Sequence, residues 1–188
     1  MTRRIGIIAE DDSDVAVVKI LIRKLTTKRF AISHFIGKGC GSLKRKAMAW
    51  CRALAMKGCT AAVVVHDQDR NDVIHLRSEL ERAVVDSPIS TFVVIPIEEL
   101  EAWLLADCGA IERAMNLART PRQNHNPESI PSPKEHLGKV IEQCSRGGRK
   151  RYVNTVHNEI IAGHLSVQQV ASRCSSFRDL KKFVRQVL

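Results

Sequence analysis

The chain has 188 residues, 44% hydrophobic and 27% charged, which is enough apolar material for a real core and argues against disorder. Thirty Lys and Arg against 20 Asp and Glu leave a net charge of +10, with a pI near 9.7. That balance points to a polyanionic partner, most often nucleic acid, the alternative being a basic protein with no such partner. No apolar stretch is long enough to span a membrane, and Met1-Thr-Arg-Arg leads into a run too short for a signal-peptide core, so a cytoplasmic location is expected.

The predicted elements alternate. Ile5–Ala9 reads as a short buried strand that ends at Glu10-Asp-Asp-Ser-Asp14. Val15, Val18, Ile22 and Leu25 then recur at helical spacing, with Asp12 or Ser13 as the expected cap. Phe30–Ile36 alternates as a second strand, and a basic glycine-rich loop over 37–42 leads into a helix through Met48, Ala53, Leu54 and Met56. Ala61–His66 is the third strand, a continuous apolar run of the kind buried on both faces of a parallel sheet. It runs straight into Asp67, Asp69 and Asp72. A polar helix from Asp72 to about Val85 follows, with Leu76, Leu80 and Val84 on one face. Thr91–Ile97 reads as a fourth strand, and Glu98 opens a helix to Asp107. Strand and helix in turn predict an α/β fold, Rossmann-like, with a parallel sheet flanked by helices over residues 1–107.

The pattern changes after Asp107. Residues from Thr120 to Pro133 hold four of the six prolines and read as a loop. Helices are expected near Lys134–Gln143, Arg151–Ile161, Ser166–Arg173 and Ser176–Val187. Residues 108–188 thus form a helical carboxyl-terminal extension expected to pack on the core as one structural unit. Six scattered cysteines contain no C-x-x-C pair, which argues against a zinc knuckle or a thioredoxin motif and for buried free thiols.

Three acidic clusters follow three predicted strands: Glu10/Asp11/Asp12/Asp14, Asp67/Asp69/Asp72 and Glu98/Glu99/Glu101. If strands one, three and four are neighbours, their ends bring carboxylates together. An all-oxygen site suits Mg²⁺ or Mn²⁺, not zinc. Each cluster alone also reads as capping the following helix. Cations placed to meet a nucleic-acid backbone are Lys38, Lys44, Arg45 and Lys46 around the glycine-rich loop, Arg70 beside the aspartates, and Arg149, Lys150 and Arg151. The glycine-rich loop lacks the Gly-Lys-Ser/Thr ending of a P-loop. His66 reads as filling space, Trp103 as core, and Trp50 as the one candidate for stacking on a base.

A family resemblance gathers these residues. Ile7-Ile-Ala-Glu10-Asp-Asp-Ser-Asp14 resembles the first TOPRIM motif, a strand ending in Glu with a second acid four residues on. His66-Asp67-Gln-Asp69 resembles the second, an Asp-x-Asp after the third strand. Glu101-Ala-Trp-Leu-Leu-Ala-Asp107, Pro133-Lys-Glu135 and Ser175-Ser-Phe177-Arg are similar to segments of a small toprim-like family of unknown function found among phage-defence and mobile-element proteins. The resemblance implies a TOPRIM-like core that binds Mg²⁺ (or Mn²⁺) and hydrolyses phosphodiesters in DNA or RNA, in phage defence. Glu10 matches the invariant acid, a metal ligand or general acid/base. Asp67 and Asp69 match the metal-binding pair, Asp14 the second acid of the first motif, and Glu101 a further acid. Toprim domains often work with an ATPase, so a regulatory module with an ATPase partner, binding nucleic acid without cutting it, is the second expectation. One departure stands out: the family usually has Gly after the first Glu, and this chain has Asp11.

The opening motif also resembles a receiver domain, with Asp67 as phosphoacceptor. Against that reading, no Met-Pro follows Asp67, and Pro-Ile-Glu-Glu ends strand four where a receiver places Ser or Thr.

Overall fold

The sheet is built from β1 (Arg3–Ala9), β2 (Phe30–Ile36), β3 (Ala61–Val65) and β4 (Ser90–Val94). A computed structural model describes residues 3–37 and 40–188, Cys40 by its backbone alone; Lys38 lies outside the described residues. All strands run parallel in the order β2-β1-β3-β4, so the three that end in acids are neighbours. Ile7 stands opposite Val63, and Val63 opposite Phe92. All five residues of β3 are buried, as a continuous apolar run requires when both faces are covered. The chain leaves β1 to one side for β2 and returns to the other for β3. The topological switch point, where open α/β sheets bind ligands, therefore lies between the carboxyl ends of β1 and β3.

Alternate strand residues serve two cores. Ile8, Val64 and Val93 face α2 (Cys40–Met56) and α3 (Val73–Arg82), meeting Leu43, Leu54, Leu76 and Leu80. Here β1 passes so close to α2 that a Cβ on Gly6 would stand 2.5 Å from Leu54 Cδ1. Ile5, Ile7, Val63 and Val94 face the other way, into a core shared with α1 (Asp12–Leu25) and the helices after β4. Those helices are α4 (Glu101–Leu105), α5 (Cys108–Met115), α6 (Pro133–Cys144), α7 (Asn154–His164), α8 (Val167–Arg173) and α9 (Ser175–Val187). Short 3-10 turns occupy Pro127–Ser129 and Arg146–Gly148.

Aromatic rings pin the helical layer. Trp103 of α4 is fully buried, meets Phe177 of α9 edge-on at 5.3 Å, and donates its Nε1–H to Ser176 Oγ at 2.8 Å. Phe183 of α9 stacks on Phe92 of β4 at 5.1 Å. Full burial of a ring such as Phe177 contributes roughly 1.5–3 kcal/mol relative to leaving it exposed.

The structure corrects several expectations. Asp11, not Asp12 or Ser13, caps α1: its Oδ1 accepts the Asp14 N–H at 3.0 Å, while Ser13 is buried. The helix after β4 starts at Glu101 rather than Glu98, because Glu98 sits at φ 58, outside the helical region. The pattern gave no sign of α5, which Asp107 caps by accepting the Ala110 N–H at 3.0 Å. Trp50 lays its ring on Phe35, 5.8 Å between centroids, so that face is not offered to a base. The cysteines at 51, 59, 108, 144 and 174 are buried free thiols. No helix among the described residues is long and apolar enough to cross a membrane.

Candidate functional site

Glu10 directly follows β1, and His66 and Asp67 directly follow β3, so the first two acidic clusters meet at the switch point. The third is drawn in by a backbone ladder that outlasts the sheet. His66 N–H donates to Val94 O at 3.2 Å, Gln68 N–H to Pro96 O at 3.1 Å, and Asp69 N–H to Glu98 O at 3.0 Å. Asp69, Arg70 and Glu98 all take left-handed backbone, at φ 48, 62 and 58. Asp tolerates this region, but for Arg70 and Glu98 it is costly, and such backbone collects at functional sites.

Asp67 is the centre of the cluster. Its Oδ1 accepts the Leu100 N–H at 2.9 Å, which ties β3 to the start of α4. Burial holds its carboxyl well above the usual carboxylate range, and Asp14, Glu101, Asp69 and Glu10 push it further. The crowding around the carboxyl is dense, although the residue keeps part of its surface exposed. Asp14 is pushed up to about 8, by burial first and then by Asp11, Glu101 and Glu10. Burial also raises Glu10; Asp69 and Asp11 add to the rise, while His66 and Lys44 oppose it. Glu10, Asp14, Asp67, Asp69 and Glu101 thus share one electrostatic field.

Two of these acids meet partners the sequence did not reveal. His66 is buried, and its Nδ1 lies 2.6 Å from the Asp67 carbonyl oxygen. A carbonyl only accepts, so Nδ1 carries the proton and Nε2 faces Glu10 Oε1 at 3.5 Å. His66 thus stands beside Glu10 in the site, its Nε2 at ion-pair distance without a hydrogen bond to Oε1. Glu101 is only 5% exposed; its Oε1 accepts from the Tyr152 hydroxyl at 2.9 Å and from Asn158 Nδ2 at 3.0 Å. Asn158 Nδ2 also donates to Ser13 Oγ at 2.9 Å. A signal existed for Asn158: it shares the buried face of α7 with Ile161 and Ala162, and a polar residue in an apolar stripe needs a partner. Tyr152 and Ser13 carried no such mark. Glu99 caps α6, its Oε2 accepting the Lys134 N–H at 2.7 Å.

The remaining expected residues divide. Asp72 is a helix cap, accepting the His75 N–H at 2.7 Å. Asp11 has φ −139, ordinary extended backbone, so this turn does not need the glycine usual after the first Glu. Of the cations, Lys44 acts electrostatically on Glu10 and pairs with Glu79 at 2.5 Å. Arg70 is exposed on the left-handed turn beside Asp69. Arg45, Lys46, Arg149 and Arg151 are exposed. Lys150, by contrast, turns inward and donates to the carbonyls of Met115 and Asn116 at the end of α5.

A family described as "Domain of unknown function (DUF4276)" matches residues 9–185. The chain belongs to this family. Its match begins at the last residue of β1 and runs nearly to the end of α9, so Glu10, the Asp67 turn and the Tyr152–Asn158 network all fall within the DUF4276 domain. No curated protein and no solved structure matches the chain.

The donor set of this DUF4276 site fits a hard divalent cation. All five acids offer oxygens, the preference of Mg²⁺ and Mn²⁺. Glu10 Oε1 is buried with no hydrogen-bond partner among the described residues. Among those residues no three of His, Cys, Asp and Glu stand at metal-ligand spacing. The carboxylates that share the field repel one another, and a cation between them relieves that repulsion.

Proposed function

We propose that this protein is a Mg²⁺- or Mn²⁺-dependent phosphodiesterase acting on DNA or RNA, with a toprim-like centre. The observation that carries the reading is the meeting of Glu10 and Asp67 at the switch point, with Glu10 Oε1 buried beside His66 and accepting no hydrogen bond among the described residues. A basic chain around an acidic focus supports it, since phosphodiester chemistry needs both.

Glu10, Asp67 and Asp69 would hold the ion, with Asp14 and Glu101 completing the negative field. When bound, the ion supplies Lewis-acid polarisation of a phosphoryl oxygen. Glu10 takes the proton from the attacking nucleophile; its raised carboxyl is better matched to that task near neutral pH than an ordinary glutamate. His66 stands beside Glu10, and Tyr152 with Asn158 hold Glu101. Arg70 stands beside Asp69, where its cation offsets charge developing on the phosphate. The test is cleavage of labelled single- and double-stranded DNA and RNA in Mg²⁺ or Mn²⁺. Glu10→Gln and Asp67→Asn proteins that cut as fast as the parent end the assignment.

A second reading is a nucleic-acid-binding module, regulated with an ATPase partner, whose acids serve structure. The hydrogen bonds already held by Asp67 Oδ1 and Glu101 Oε1 favour it. It predicts binding that is insensitive to EDTA, falls steeply with salt, and occurs without cutting.

A further inference from the structure

A second concavity lies away from the sheet ends, between the loop that follows α5 and one face of α6. Its volume is about 810 Å³, within the range of ligand clefts. Arg119, Arg122, His125 and His136 line it together with Asn124 and Asn126. None of its twelve lining residues is Asp or Glu, on a chain that holds 20 of them.

The groove has a built wall. Ala118 N–H donates to Cys144 O at 2.9 Å, and Arg119 Nη2 donates to Gln143 O at 3.2 Å, fastening the loop to the end of α6. Gln123 accepts the Cys108 N–H at 3.3 Å and donates to Asn124 O at 2.8 Å. Asn124 Oδ1 accepts the Asn126 N–H at 2.8 Å. The opposite wall is one face of α6, where His136, Val140 and Gln143 recur at helical spacing. The same helix is tied at its start to the acidic crevice, through the Lys134 N–H on Glu99.

We propose that this groove binds the sugar-phosphate backbone of a single nucleic-acid strand. This deepens the nucleic-acid reading above and rests on it for the ligand, but it stands on different residues. Arginine forks match phosphate oxygens, and no carboxylate lines the groove itself; Glu112, outside the lining, accepts from the Thr120 hydroxyl. Side-chain amides of the asparagines suit base edges. No Phe, Tyr or Trp lines the groove and its rings are the two imidazoles, so affinity comes mainly from phosphate contacts. Binding there has weak sequence preference and strong salt dependence.

The test is fluorescence anisotropy of a labelled ten-nucleotide oligo-dT on the full chain in EDTA, over a salt series. The parent retains the oligonucleotide, and Arg119→Ala/Arg122→Ala weakens it roughly tenfold. The same double variant flattens the plot of log K against log salt by about 1.4, at about 0.7 for each lost single-strand contact. Arg119→Lys/Arg122→Lys, which keeps both charges, stays close to the parent slope and shows that charge, not folding, is being read. A parent that does not hold the oligonucleotide overturns the proposal. So does a double alanine variant that binds like the parent, or displacement by AMP at the same nucleotide concentration as unlabelled oligo-dT, which would mark a mononucleotide pocket. Because the measurement is made in EDTA, absence of cleavage in Mg²⁺ with this binding intact counts against the phosphodiesterase reading alone.

Discussion

The crevice at the ends of β1 and β3 and the groove along α6 handle charge in opposite ways. The crevice gathers five acids in a crowded space, where burial and mutual repulsion hold Asp67, Asp14 and Glu10 above the ordinary range. The groove sets Arg119, Arg122, His125 and His136 on exposed walls and admits no acid. Acids can be crowded in the crevice because the backbone ladder and the Tyr152–Asn158 network fix them in place. Exposed cations in the groove need no such frame, since water screens them. The proposed chemistry and the proposed retention thus fall to separate parts of one basic chain.

The largest effect expected from breaking this division is on rate. Glu10→Gln and Asp67→Asn each lower cleavage by about 10²- to 10⁴-fold, the usual worth of a positioned acid–base group. Both keep oligonucleotide retention in EDTA within a factor of about two, as residues that touch no phosphate should. Variants that lose retention together with cleavage would show that the two regions work as one.

Next in size is the response to the ion itself. Mg²⁺ at a hundredfold excess over its Kd stabilises the parent by about 2.7 kcal/mol, read as a rise in Tm. The rise disappears in Asp67→Asn and persists in Arg119→Ala/Arg122→Ala. Persistence in Asp67→Asn would place the ion outside the crevice.

Tyr152→Phe comes third. It removes one of the two donors on Glu101 Oε1 and leaves a buried acceptor short, at a cost of about 1–3 kcal/mol in urea denaturation. An unchanged midpoint would mean that the hydroxyl does not support Glu101.

The smallest effect is a change in pH dependence. Asp14 titrates at about 8 in the fold against an ordinary 3.8, so the folded state binds its proton more tightly than the unfolded chain. Its destabilising share is absent below about pH 4, grows as pH rises, and is complete above about pH 8. Asp14→Asn therefore flattens the fall in Tm across that window at low salt without Mg²⁺, and raises Tm at pH 8 by about 2–4 °C. A slope equal to the parent's would locate the crowding in other carboxylates.

Much of the framework was legible in the sequence. The strand Phe30–Ile36 was read to the residue, and the apolar run Ala61–Val65 declared its burial on both faces. The convergence of acids was legible only as a condition, because periodicity does not give strand order; the pairing of β1 with β3 and of β3 with β4 meets it. Three features were hidden for physical reasons. The eight-residue α5 is too short to display a stripe, and Gly109 further weakens its pattern. The left-handed pair Asp69–Arg70 contains no glycine to announce it. The partners of Glu101 come from Tyr152 and Asn158, 51 and 57 residues away, and no local spacing rule reaches that far.

The hydrogen bond from Asn158 to Ser13 spans 145 residues and belongs to the same network that grips Glu101. During synthesis, residues 10, 67 and 101 leave the ribosome long before residue 158. A nascent chain therefore carries every acid of the crevice while Glu101 still lacks both its donors. The geometry of the crevice is complete only once α7 has docked on α1 and both donors have reached Glu101.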